Sequence, residues 1–155
     1  MIDAGKSMWV LFGILVISAW VLGSSTQVGG ADLPKGVTLI TPSEMKWEPS
    51  ASGRENAYLY GHPDKPGPYL VLIKWPPHNK AFAHKHPDAR YGLVVSGVHY
   101  IGYGEKFDEK KLHAHPAGSF FTEPANTPHF GMTKGEGAVL YFYGIGPSGI
   151  TPLEK

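Results

Sequence analysis

From residue 32 to the end of the chain, no stretch sustains the 3.6-residue apolar period of an amphipathic helix, and that absence constrains the fold more than any other feature. In its place stand short runs rich in Val, Ile, Tyr, Phe and Trp, each closed by Gly, Pro, Asn or Asp. The spacing predicts strands at 37–41, near Trp47, on both sides of the turn "GHPDKPGP" (61–68), and at 69–75, 81–86, 90–96 and 98–104. Further strands are predicted at 119–123, 128–133 and 138–143, followed by a Gly/Pro-rich tail. The charged segment "EKFDEKKLHAH" reads as a solvated loop or a short edge strand. Twenty glycines and fourteen prolines fit such punctuation. Short strands at regular spacing predict a single all-β domain over 32–155, a sandwich or barrel. Small barrels often cover exposed edges with a second copy, so a homodimer is an expectation of that architecture.

The first 31 residues read differently. Lys6 precedes the apolar block "MWVLFGILVISAWVL", and small and polar residues follow it. A basic start, an apolar core and a small-residue boundary describe a secretory signal. The block falls short of the roughly 20 residues that span a bilayer. Cleavage after Ala31 is the expectation, with an uncleaved anchor as the alternative. Either predicts export, to the periplasm or outside the cell, and after cleavage no membrane association. The formal charge of +1 offers no footprint for nucleic acid. The absence of cysteine removes disulfides and thiolate metal sites, so any metal must be held by nitrogen or oxygen.

The stretch "FAHKHPDARYGLVVSG" carries the chemistry. Residues two apart in a strand project to one face, so His84 and His86 can aim two imidazoles at one point. His129, in "GSFFTEPANTPHFG", is the candidate third ligand. His113 and His115 form a second pair, read as part of an exposed strand before a turn. His99 sits two residues past Gly97 on a strand whose alternate positions face inward; it is either a general acid or base, or a satisfied barrel residue. His62 and His78 fall in turns and read as surface. The aromatics Tyr91, Tyr100, Tyr103, Phe120, Phe121, Phe130, Tyr141 and Tyr143 alternate along the strands and read as core.

These motifs resemble the cupin family. Its first motif runs from a histidine pair through a glutamate to a glycine, and here His84, His86 and Gly97 match while Arg90 stands at the glutamate position. In the second motif Gly118, Pro124 and His129 match, while Asn126 and Thr133 depart. "HPDARYGLVVSG", "PAGSFF" and "PANTPHF" also resemble small bacterial cupins of the RmlC-like kind. The resemblance implies a double-stranded β-helix, or jelly roll, holding one divalent transition metal (Fe, Cu, Zn, Ni or Mn) inside the barrel. It implies His84, His86 and His129 as ligands, with Asp88, Glu123 or water as the fourth. Arg90 would orient an anionic substrate, or turn outward to pair with Asp88; His99 would serve proton transfer.

Three functions are then in view. An exported three-histidine oxidoreductase, dioxygenase-like, acting on a small organic or carbohydrate-derived molecule comes first. A metal-dependent isomerase or lyase on a sugar or keto acid is the nearest rival. A non-catalytic metal or small-ligand binding module is the third.

Overall fold

The computed structural model describes residues 33–154. The segment 1–31, expected to be a signal or anchor, and its cleavage point lie outside the described residues. Leu39 onward forms one compact unit; the described residues before it belong to another and contain a turn closed from Val37 N–H to the Pro34 carbonyl, 3.1 Å.

Nine strands build the larger unit: β1 (Glu48–Pro49), β2 (Glu55–Tyr60), β3 (Gly67–Trp75), β4 (Lys80–Lys85), β5 (Arg90–Tyr103), β6 (His113–Pro116), β7 (Phe120–Glu123), β8 (His129–Gly146) and β9 (Thr151–Pro152). All pairings are antiparallel, in one curled sheet of order β1-β2-β3-β8-β4-β9, with β5 bonded to β6, β7 and β8. The all-β expectation holds. The strand expected at 37–41 is not formed: Thr41 instead bonds Glu44 through both its hydroxyl (2.7 Å) and its N–H (2.8 Å), starting a short 3-10 turn at Pro42. Local side-chain bonds of this kind compete with strand pairing. The charged segment 105–115 holds a 3-10 turn at Glu109–Lys111 and then enters the edge strand β6.

Two of the expected breaks are bends within continuous strands. The runs 90–96 and 98–104 are one strand, β5; 129–133 and 138–143 lie in one strand, β8. Their shared rungs shift register on both sides of Gly97, which pairs with Ala138. Gly97 has φ +71°, and a Cβ there would stand 2.2 Å from the Gly137 carbonyl oxygen; Gly137 itself has φ +68°. Glycine alone takes this backbone and this approach without strain. The bends at Gly97 and Gly137 fold both long strands, so that the sheet curls onto its own inner face.

Period-two alternation then fills the interior. Tyr69, Val71 and Trp75 from β3, Val94 and Ile101 from β5, Phe121 from β7, and Ala138, Leu140 and Phe142 from β8 form the core. The aromatics divide by the same rule. Phe121 and Phe130 are buried, whereas Tyr91, Tyr103, Phe120 and Tyr143 stand exposed on the outer face. Their reading as core is corrected by strand parity: each exposed residue neighbours an inward one.

Candidate metal centre

His84 lies near the end of β4 and pairs directly across the ladder with His129, the first residue of β8. His86 follows one residue beyond β4. Their ring centroids are 4.5 Å (His84–His129), 5.0 Å (His84–His86) and 5.3 Å (His86–His129) apart. One ligand atom from each lies within 4.8 Å of the others, the single such group among the described residues. Three nitrogens held tetrahedrally at about 2.1 Å from one ion lie about 3.4 Å apart, so their separations need to close by no more than about 1.4 Å.

The protonation pattern fits a metal. Each ring's Nδ1 faces a backbone carbonyl: Phe82 for His84 (2.7 Å), Gly149 for His86 (2.6 Å) and Thr127 for His129 (2.9 Å). A carbonyl only accepts, so Nδ1 carries a proton in all three, and Nε2 is the nitrogen each neutral ring has free for a metal. His86 Nε2 and His129 Nε2 are buried with no hydrogen-bond partner among the described residues. Burial pushes His84 down to about 4 and His86 down to about 3, the Arg90 charge adding to the latter, so both rings are neutral at neutral pH. Neutral imidazoles with free, convergent nitrogens are what a divalent transition metal requires.

Arg90 points inward, with the same parity as Gly92 and Val94. Its rung partner in the β5–β7 ladder is Glu123. Arg90 Nε donates to Glu123 Oε2 at 2.7 Å, and Nη2 contacts the same oxygen. That oxygen is also 3.4 Å from His129 Nε2 and 3.9 Å from His86 Nε2. The acid absent from position 90 is thus supplied by the residue directly across the ladder. Burial alone would raise the Glu123 carboxyl; the Arg90 guanidinium, with the two facing histidines, overrides it and holds the group at about 2. Asp88 is engaged elsewhere, accepting from Tyr69 Oη (2.9 Å) and Ser148 Oγ (2.5 Å). The outward Arg90–Asp88 pairing is therefore not formed.

His99 faces the same cavity and is only 2 % exposed. Neither of its ring nitrogens has a partner among the described residues. Trp75 meets it edge-on at 4.9 Å and Phe121 packs at 5.5 Å. Burial lowers its pKa to about 4. His113 is exposed and accepts through its carbonyl from His115 Nδ1 (2.9 Å); neither belongs to the metal group. His78 is exposed, and His62 is half-buried against Tyr58.

Two features lay outside the sequence reading. Arg54, the residue before β2, lines the cavity with its guanidinium 3.3 Å from the Trp75 ring centroid. An arginine just before a strand in a polar stretch gives no signal of that placement. The second is the tail after β8. Besides the Gly149 carbonyl on His86, Glu154 Oε2 accepts from Ala83 N–H (3.0 Å) and Phe107 N–H (2.7 Å), and Leu153 N–H donates to the Ala83 carbonyl (2.9 Å). This strap ties the ligand-bearing strand to the tail.

A curled antiparallel sheet with three convergent histidines inside defines a cupin with a candidate metal centre. Residues 35–149 match the family described as the ChrR Cupin-like domain, and the chain belongs to it. Solved structures agree on the fold. An RmlC-like cupin from Shewanella frigidimarina is 17% identical, covering 68% of this chain and 87% of that one, with a TM-score of 0.56. The polyketide cyclase RemF from Streptomyces resistomycificus is 16% identical over 77% and 87% of the two chains, TM-score 0.61. A sugar phosphate isomerase of the cupin superfamily from Silicibacter pomeroyi is 14% identical over 74% and 82%, TM-score 0.58. No curated protein matches the sequence.

Proposed function

We propose that the protein is an exported mononuclear metalloenzyme that converts a small organic molecule inside the barrel. The observation that carries this reading is the shared tautomer of His84, His86 and His129, each Nδ1 held by a carbonyl and each Nε2 turned to one point. Three imidazoles leave positions for a substrate oxygen, and the cavity beside them, about 180 Å³, is lined in part by Ile73, Phe142 and Ile150. A divalent metal bound there supplies Lewis-acid or redox activation of an oxygen-bearing substrate. The chain's own groups do the rest. Glu123, ionised and fixed by Arg90, offers a carboxylate beside two of the histidines. The apolar wall limits water around the reacting group.

The oxidoreductase, dioxygenase-like reading uses this centre with a redox metal. The isomerase or lyase reading uses it with zinc or nickel, and His99 favours it: a neutral imidazole in the cavity wall with both nitrogens uncommitted can relay a proton. Neighbouring folds that include a polyketide cyclase and a sugar phosphate isomerase support small-molecule processing.

Elemental analysis of the purified full-length protein, beside the triple His84→Ala/His86→Ala/His129→Ala variant, tests the centre. About one metal per chain, lost in the triple variant, is expected. Iron or copper directs assays to oxygen-dependent turnover, and zinc or nickel to proton transfer. No metal in either protein after reconstitution refutes the reading.

A further inference from the structure

Arg54 is a charge without a counterion. Its Nε donates to Asn79 Oδ1 (2.7 Å) and Nη2 to the Lys80 carbonyl (3.1 Å), while its face stacks on Trp75. It makes no ion pair among the described residues. Arg90, by contrast, is neutralised by Glu123. The cavity wall therefore holds two guanidinium groups against one carboxylate, leaving one positive charge uncompensated before any metal is added. A divalent ion would raise the surplus further, and a low-dielectric pocket makes it costly.

Polar atoms that need partners lie beside that charge. Trp75 is 7 % exposed and His99 is 2 % exposed, and both line the cavity. Trp75 Nε1 and both His99 nitrogens are buried with no hydrogen-bond partner among the described residues. Buried donors are normally paired. The lining residues nearest in sequence to Arg54 are neutral: Ser50, Ser52 and Asn56.

We propose that Arg54, Trp75 and His99 form an anion subsite that takes the carboxylate of a small organic acid, whose other polar end faces the three histidines. A carboxylate matches the set: the guanidinium meets its two oxygens, the indole N–H donates, and His99 donates from whichever nitrogen carries its proton. The bonds from Asn79 and Lys80 and the stack on Trp75 hold the guanidinium before the ligand arrives, which lowers the ordering cost. The cavity, about 180 Å³, has room for an acid built on a ring the size of benzene, which fits a cavity of about 150 Å³. Arg54, and not Arg90, is then the residue that recognises the anion. The subsite deepens the metalloenzyme reading and rests on it only for the direction of the substrate.

Calorimetric titration of benzoate and of its neutral isostere benzamide into the full chain, with zinc added and with zinc chelated, tests the subsite. Benzoate is expected to bind at least tenfold tighter than benzamide; Arg54→Gln erases that difference, and Arg54→Lys restores part of it. Zinc affinity, measured against a competing chelator, is expected to hold or tighten in Arg54→Gln, where the opposing charge is gone, and to be unchanged in Arg54→Lys; retained zinc binding also shows that both variants are folded. Equal binding of the two probes, or a benzoate preference that survives Arg54→Gln, overturns the subsite even where zinc binds. Binding of inorganic phosphate through Arg54 with none of benzoate overturns the carboxylate assignment. An Arg54-dependent benzoate preference in a chain that takes up no metal supports the subsite while the metalloenzyme reading fails.

Discussion

The metal-free protein carries neutral imidazoles at His84, His86 and His99, and acid should find them. In the folded chain His84 titrates at about 4, His86 at about 3 and His99 at about 4, in each case chiefly through burial. In an unfolded chain each titrates near pH 6.5. Between those values the unfolded chain binds more protons, so stability is full above about pH 6.5 and falls as pH drops towards 4. Lowering the pH from 7 to 5 costs about 2 kcal/mol for each histidine. His84 is partly exposed, so its share is smaller, and roughly 4–5 kcal/mol is lost in all. That is a large part of the 5–15 kcal/mol typical of a domain. Glu123 does not mask the effect, since its depressed pKa stabilises above about pH 4.3 and that contribution is lost only below this window. Urea unfolding of chelator-treated protein at pH 7 and pH 5, followed by tryptophan fluorescence, measures the drop. In His99→Leu the drop should shrink by about 2 kcal/mol, with little change at pH 7, because the two ring nitrogens it removes have no partner among the described residues. An unfolding midpoint that stays constant from pH 7 to 5 would refute the buried neutral assignment.

Glu123→Gln leaves the Arg90 guanidinium inside without its counter-charge and should destabilise the fold by about 3 kcal/mol or more. The double variant Arg90→Met/Glu123→Leu should regain most of that loss; equal stability of single and double variants in denaturant titrations would show the pair to be uncoupled. Ending the chain after Pro147 removes the Gly149 carbonyl that fixes the His86 ring, and should weaken zinc binding by about 10–100-fold in chelator competition. Glu154→Ala, which frees the Ala83 and Phe107 N–H groups but touches no ligand, should weaken it by less.

The strands were legible where apolar residues alternate under a period of two. The run 69–75, with Tyr69, Val71 and Trp75 turned inward, is β3 apart from two residues at its start. What the linear pattern concealed is continuity: Gly97 and the gap at 134–137 read as breaks, yet Gly97 and Gly137 act as bends, because a positive φ and a close carbonyl turn a strand without ending it. Parity also escaped the aromatic reading, which assigned Tyr91 and Phe120 to the core when their neighbours Gly92 and Phe121 are the buried ones. The histidine triad could be found from spacing because His84 and His86 lie on one strand and its short extension. The contact of Arg90 with Glu123 spans 33 positions and is set by ladder register, which no local window contains. Arg54 is held at the cavity by stacking on Trp75 and by bonds to Asn79 and the Lys80 carbonyl, all of them contacts far along the chain from the residue that leads into β2.

The rung that joins Arg90 to Glu123 makes the two positions one mutational unit. Reversing the charge of either side chain alone sets two carboxylates or two guanidinium groups against each other, and deleting one leaves a lone charge facing the cavity. Like charges at that spacing repel, and a lone buried charge costs several kcal/mol. A change at position 90 is therefore tolerated best together with a matching change at position 123, and the converse holds.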